Sequence, residues 1–250
     1  MEFAEVVRRR RMVRRFDPAR PVPPTALEAV LYAAQRAPSA GFSQGWDFVV
    51  LADEESRSRF WEAARDPRPP RGAGPYAWLT GVAAAPVLVL CLSDPDTYLD
   101  RYAEPDKGWA DRDPARWPVP YWDVDTGMAA MLMLLASVDQ GLGALFFGVP
   151  PTRHQAVRQA HGIPGNRRLV GVVALGHELR RTEGSSRTRP RRPPAEVVHW
   201  GQFAGPAGPP GDPGAEPGGD LGGDRRGDRR GRASTGAGDG LRGESGADPV

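Results

Sequence analysis

Residues 124–140 carry apolar side chains on nearly every face of the helix that their spacing predicts. Met128, Met131, Leu132 and Leu135 recur at i, i+3, i+4 and i+7, and Met133, Leu134 and Val138 line the other side. Such a helix has no face to offer water, so it belongs in the centre of a layered domain or against a second copy of the chain. Gly141 closes it. Partners able to cover it are the short apolar runs 46–51, 86–92, 144–147 and 169–175, which read as strands.

Further helical patterns lie between these runs. Phe3, Val6 and Val7 mark a helix over 2–11 that runs into arginines, and Leu27, Val30, Leu31 and Ala34 mark a second, with Thr25 and Glu28 at capping-box spacing. Asp53 is placed to cap a third, through Phe60, Trp61 and Ala64, which ends in the Pro-rich stretch 67–75. Thr152 and Gln155 suggest the cap of another, stopped by Gly162 and Pro164. Over 93–122 periodicity is lost while Tyr98, Tyr102, Trp109, Trp117, Tyr121 and Trp122 accumulate among prolines. A loop that long in a compact domain is either a substrate-site lid or a surface excursion pinned by its aromatics.

The segment 196–200 has enough apolar weight to dock. Residues 204–250 are Gly, Pro, Asp and Arg with almost nothing to bury, so they are expected to be disordered. The expected organisation is one domain over 1–203 and a tail over 204–250.

Among 250 residues, 33 basic against 31 acidic side chains leave a net charge of +2, too little to call for a nucleic-acid partner. Cys91 is the single cysteine, which rules out an internal disulfide. No apolar stretch approaches 18 residues, and residues 1–15 are charged throughout. These features lead us to expect a cytoplasmic protein with no membrane partner. His154, His161, His177 and His199 have no metal-ligand spacing, so no metal site is expected. The glycines of 141–148 do not make a dinucleotide fingerprint, since Phe146 stands where the third glycine belongs and a helix precedes them.

Two stretches carry chemistry. In Ala-Pro-Ser-Ala-Gly-Phe-Ser-Gln-Gly-Trp, residues 37–46, Pro38 ends a helix, Gly41 and Gly45 loosen the backbone, and Ser39, Ser43 and Gln44 offer small polar groups. That loop suits a planar hydrogen-bonding ligand. In the cluster Arg10, Arg11, Met12, Val13, Arg14, the arginines supply donor forks that match a phosphate, with Arg10 and Arg14 four apart on the expected helix end.

Together these stretches resemble the paired flavin-binding signature of the nitroreductase family. The resemblance implies an α+β, three-layer sandwich, with a mostly antiparallel sheet flanked by helices, assembled as a homodimer with FMN at the interface. It also implies that NAD(P)H is the co-substrate, and that reducing equivalents pass through FMN to an electron-poor small-molecule acceptor, nitroaromatic or quinone-like, by a ping-pong mechanism. The flavin carries the reaction, so no catalytic side chain is expected.

By the same resemblance Arg10 and Met12 lie at the phosphate and ribityl chain, and Arg11 is among the cofactor-binding residues. Arg14 lies by the ring, where a cation stabilises negative charge developing at N1. Pro38, Ser39, Ala40, Phe42 and Gln44 contact the flavin, a backbone N–H of Phe147 or Gly148 faces N5, and Arg189 and Arg192 add phosphate contacts. The family usually has Asn at the place of Phe42 and Pro at that of Gly45. Phe42 is reminiscent of the branch that degrades flavin to dimethylbenzimidazole. A flavin-modifying enzyme, a tailoring dehydrogenase of the same fold and a non-catalytic flavin-binding protein therefore stay open beside the reductase.

Overall fold

The computed structural model describes residues 1–65, 76–179 and 190–205. Within them the chain falls into two compact units, Met1–Arg192 and the segment from Pro193 onward. The expected Pro-rich loop at 67–75, Arg189 and nearly all of the expected tail lie outside the described residues.

The first unit is built on four antiparallel strands, β1 (Trp46–Leu51), β2 (Val87–Ser93), β3 (Gly143–Phe147) and β4 (Arg168–Gly176), in the order β1-β2-β4-β3. Every β2 residue is buried, as a continuous apolar run in a central strand requires. Alternate side chains divide between two layers. Leu88, Leu90, Leu92 and Val172 face a core closed by Phe60 of α3 (Glu54–Ala64), Val157 of α7 (His154–Ala160) and Val82 of α4 (Tyr76–Ala83). Val87, Val89, Cys91 and Val173 face the opposite core, with Val30 and Ala34 of α2 (Pro24–Gln35) and Ala129, Ala130, Met133 and Leu134 of α6 (Tyr121–Asp139). This is the α+β three-layer sandwich.

Several local expectations need correction. Helix α1 (Phe3–Arg9) stops before the arginine cluster: Arg10 leaves the helix at ψ 127° and Met12 lies in a β-bridge. Thr25 caps nothing, because Pro24 already occupies the first turn and Pro23 is the cap position. Thr152 likewise sits in a short 3-10 turn at Pro151–Arg153 and makes no capping bond. Asp53 does cap α3, its side chain accepting from Ser56 N–H at 2.7 Å.

The stretch 93–122 is not structureless: α5 (Pro95–Ala103) is capped by Asp94, a 3-10 turn spans Pro114–Arg116, and α6 begins at Tyr121. Nor is α6 buried all round. Its Met133 and Leu134 are core residues, but Val124 (40%), Met128 (37%) and Met131 (41%) are exposed and form an apolar face that none of the described residues covers.

In the second unit a 3-10 turn at Pro194–Glu196 precedes Trp200, and the His199 and Phe203 rings lie 4.5 Å apart. No helix among the described residues is long and apolar enough to cross a membrane.

Candidate functional site

The arginine segment is placed by its backbone. Met12 bridges Ala144 of β3 in parallel, Val13 N–H donates to the Ala144 carbonyl at 2.9 Å, and Asp17 N–H to the His177 carbonyl at 2.8 Å. An extended segment sends alternate side chains to opposite sides. Val13 is buried, while Arg10 and Arg14 are half-buried and Met12 is exposed. Arg10, Met12 and Arg14 therefore share a side through the two-residue period of extended chain, not through a helix turn. Neither Arg10 nor Arg14 has a side-chain hydrogen-bond or ion-pair partner among the described residues. Arg11 differs from both, since its guanidinium is paired with Glu178.

The loop before β1 is held far more densely. Ser39 Oγ accepts from Gln44 N–H at 2.9 Å, Phe42 N–H donates to the Ser39 carbonyl at 3.0 Å, and Ser43 Oγ–H to the Ala40 carbonyl at 2.7 Å. From behind, Asp125 Oδ2 accepts from Ala40 N–H and from Tyr98 O–H, each at 2.8 Å. Burial, and then its bond to Asp125, push the Tyr98 hydroxyl far above its usual pKa, so it is a standing donor. Arg101 Nε–H donates to the Gly41 carbonyl at 3.0 Å. Held this way, Gly41, Phe42 and Gln44 all take the left-handed conformation, at φ 62°, 56° and 54°. The Phe42 ring is 77% exposed.

The departure at Gly45 has a steric reason: a Cβ there would stand 2.5 Å from Cε2 of Tyr98 and 2.9 Å from the Asp94 carbonyl. Beside the loop, Tyr32, Gln35, Arg36, Gln44, Trp46 and Phe48 line an open groove of about 550 Å³ along the outer edge of β1.

Other expected residues are placed less tellingly. The Phe147 ring stacks on Trp61 at 5.7 Å, inside the α3 layer, and Gly148 is exposed just past the end of β3. Arg192 lies at the end of the first unit. Asp125, Tyr98 and Arg101 are not evident from sequence patterns, although a carboxylate one turn into an apolar helix is a signal of a buried polar contact. Among the described residues no group of His, Cys, Asp and Glu could hold a metal ion.

The two halves do not meet within one chain. The loop leads into Trp46, in the outer strand β1, at the row Trp46–Ser93–Arg168. Met12 lies against Ala144 on the opposite outer strand, next to the row Val87–Leu175–Ala144. Three strand spacings, about 14 Å, separate the two edges, and the rows lie toward opposite ends of the strands.

Known proteins share this architecture. A nitroreductase from Exiguobacterium sibiricum 255-15, solved in complex with FMN, aligns with a TM-score of 0.63 at 18% identity over 80% of this chain and 97% of that one. A nitroreductase family protein of Clostridium difficile 630 aligns with a TM-score of 0.60 at 21% identity over 81% and 100%. At these identities the likeness is one of fold. In sequence, a protein of Archaeoglobus fulgidus provisionally named NADH dehydrogenase/NAD(P)H nitroreductase is 29% identical over 178 residues, 70% of this chain and 85% of that protein.

The sequence model of the nitroreductase family matches residues 7–177, and the chain belongs to that family. It is therefore an oxidoreductase, of a family whose cofactor is FMN.

Proposed function

We propose that two copies of this chain form a homodimer in which the arginine segment of one and the loop 38–44 of the other hold one FMN. The observation that carries this reading is the placement of the two half-sites at opposite edges of one sheet. Each is shaped for a part of the same ligand. Arg10 and Arg14, half-buried cations without carboxylate partners among the described residues, suit a phosphate and an electron-rich ring edge. The loop presents a fixed, strained backbone to a planar group. A second copy would also cover the exposed apolar face of α6, consistent with interfaces that resemble a core cut in half.

When bound, FMN supplies the redox chemistry, accepting reducing equivalents from NAD(P)H and then delivering them to an electron-poor small molecule in ping-pong order. The protein grips, orients and shields. In this reading Arg14 steadies negative charge at the ring, and Arg10, Met12 and Arg192 hold the phosphate end. Phe42 and Gln44 border the face where an acceptor enters, and Phe147 and Gly148 offer backbone at the ring edge. The expected acceptors are nitroaromatics and quinones.

Anaerobic addition of NADPH or NADH to the purified yellow protein tests the reading. Loss of the blue absorption band, and its return with a nitroaromatic or quinone, supports it. A flavin-loaded protein that neither nucleotide bleaches overturns it in favour of a binding protein. The exposed Phe42 at the family's usual Asn position favours one second reading, work on the flavin itself. Dimethylbenzimidazole formed after aerobic reduction would establish that one.

A further inference from the structure

Non-glycine residues in the left-handed region are strained and persist only where the surroundings leave no alternative. The loop has two within three positions, Phe42 and Gln44. The restraints come from the stretch 94–125, on the side of the loop away from solvent. Asp125 is 1% exposed and Tyr98 is fully buried, and their contact places one carboxylate oxygen between the Tyr98 hydroxyl and the Ala40 amide. Arg101 ties the Gly41 carbonyl to the excursion, since the same guanidinium donates to both oxygens of Asp106, at 2.7 and 2.8 Å. The aromatic side chains close ranks behind these bonds: Tyr102 packs on Trp117 at 4.6 Å and on Trp109 at 5.0 Å. A Cβ on Gly41 would stand 2.7 Å from the Tyr102 ring.

We propose that Asp125, Tyr98 and Arg101 are positioning residues that hold the cofactor loop in its strained form, and that the aromatic excursion 104–122 is the scaffold of that loop and not a lid over the site. The assignment rests on the flavin reading above. Its chemistry is specific. A buried carboxylate must be hydrogen-bonded to be tolerated, and its two donors fix the Ala40 backbone at the base of the turn. The stretch 94–125 thus reaches the loop through Ala40, Gly41 and Gly45, whose carbonyl accepts from Asp94 N–H at 2.9 Å.

The test compares full-length Asp125→Ala, Asp125→Asn and Tyr98→Phe with Thr126→Val. Thr126 is the next residue of the same helix, equally buried, bonded to the Trp122 carbonyl at 2.8 Å and without a hydrogen bond to the loop. FMN dissociation constants, melting temperatures of the flavin-free protein and amide exchange at Ala40 are measured for each. We expect the FMN Kd to rise about tenfold in Tyr98→Phe and more in Asp125→Ala, with partial rescue in Asp125→Asn. Ala40 should exchange faster in all three. Thr126→Val should lower the melting temperature and leave the FMN Kd within about twofold.

A Kd in Tyr98→Phe and Asp125→Ala that moves no more than in the Thr126 control overturns the proposal. If Asp125→Ala does not fold, Tyr98→Phe decides alone. If the wild type binds no FMN, the flavin reading falls, and unaltered Ala40 protection in Tyr98→Phe would separately overturn the positioning role.

Discussion

The two half-sites are built on opposite principles. The loop 38–45 is anchored through side chains: its amides, carbonyls and hydroxyls are bonded among themselves and to Asp125 and Arg101, and its backbone is forced into conformations it would otherwise avoid. The arginine segment is anchored through its backbone to β3 and to the chain beyond β4, and its outward guanidiniums at 10 and 14 have nothing to bind within the described chain. One half is preorganised, and the other presents charge without a carboxylate partner among the described residues. Preorganisation lowers the ordering cost of binding, and unpaired charge supplies attraction, so in the proposed dimer the two would make different contributions to one affinity.

The strongest way to break the comparison is to keep the halves apart. Met131→Asp places a charge on the apolar face of α6, where an interface would bury it unpaired at a cost of several kcal/mol. Dimer and flavin should be lost together in light scattering and absorbance. A dimer that persists with its flavin would show that the halves do not meet across this face.

Next, Arg10→Ala and Arg14→Ala should each weaken FMN binding by roughly 1.5 to 3 kcal/mol, the size of a hydrogen bond to a charged group. The melting temperature of the flavin-free protein should barely move, because neither side chain has a partner to lose among the described residues. Equal FMN affinity in both variants and wild type, by fluorescence titration, would refute the phosphate and ring assignments.

On the loop side, Phe42→Asn should have a smaller effect of the opposite sign on stability. Asn tolerates the left-handed region better than Phe, and the exposed ring gives up little packing, so denaturant unfolding should show a gain on the order of 1 kcal/mol. A loss of stability would mean that the Phe42 ring is held by contacts that its 77% exposure does not suggest.

The smallest expected effect is on pH dependence. Arg101 holds the Asp106 carboxyl below its ordinary pKa, through their hydrogen bond first and their charges second. A carboxylate whose folded pKa is depressed adds stability above its unfolded pKa and loses it as pH falls through the folded one. The wild type should therefore lose melting temperature toward strongly acid pH slightly faster than Asp106→Asn. Parallel curves for the two proteins would show that this exposed pair contributes nothing measurable.

The strands were legible because their signal is composition: four apolar runs give four strands to within a residue or two. Asp53 was legible because nothing competed with it for its cap. The Thr25 and Thr152 caps failed because Pro24 and Pro151 fix φ one residue ahead and begin the turn without them. Helix α5 was hidden because its buried face is Tyr98, an aromatic with a polar tip, and not an aliphatic stripe, although Asp94 and Pro95 are ordinary start signals. The loop and the arginines were legible as donors with unusual backbone freedom. Their support was not, since Asp125 lies 85 residues from Ala40 and no local pattern joins positions that far apart. Which of the two placements expected for α6 holds, the centre of the domain or the face of a second copy, was not legible for a related reason. Periodicity reports which residues are apolar, not which of them a single chain can cover.

A Cβ on Gly81 of α4 would collide with the Arg14 carbonyl, and one on Gly143 would stand 2.9 Å from Cγ2 of Val13. The arginine segment is thus seated in a track cut to its main chain at Arg14 and to the inward side chain of Val13, and the track is indifferent to what positions 10, 12 and 14 project outward. For evolution, or for a protein engineer, this is a cassette: charge, size and reach at those three positions can be rewritten one at a time while the sheet beneath keeps its register. The glycines that admit the backbone are the positions that cannot drift. Divergence in ligand preference across such a lineage should therefore accumulate in the outward-facing residues of the segment, and the glycines beneath should stay still.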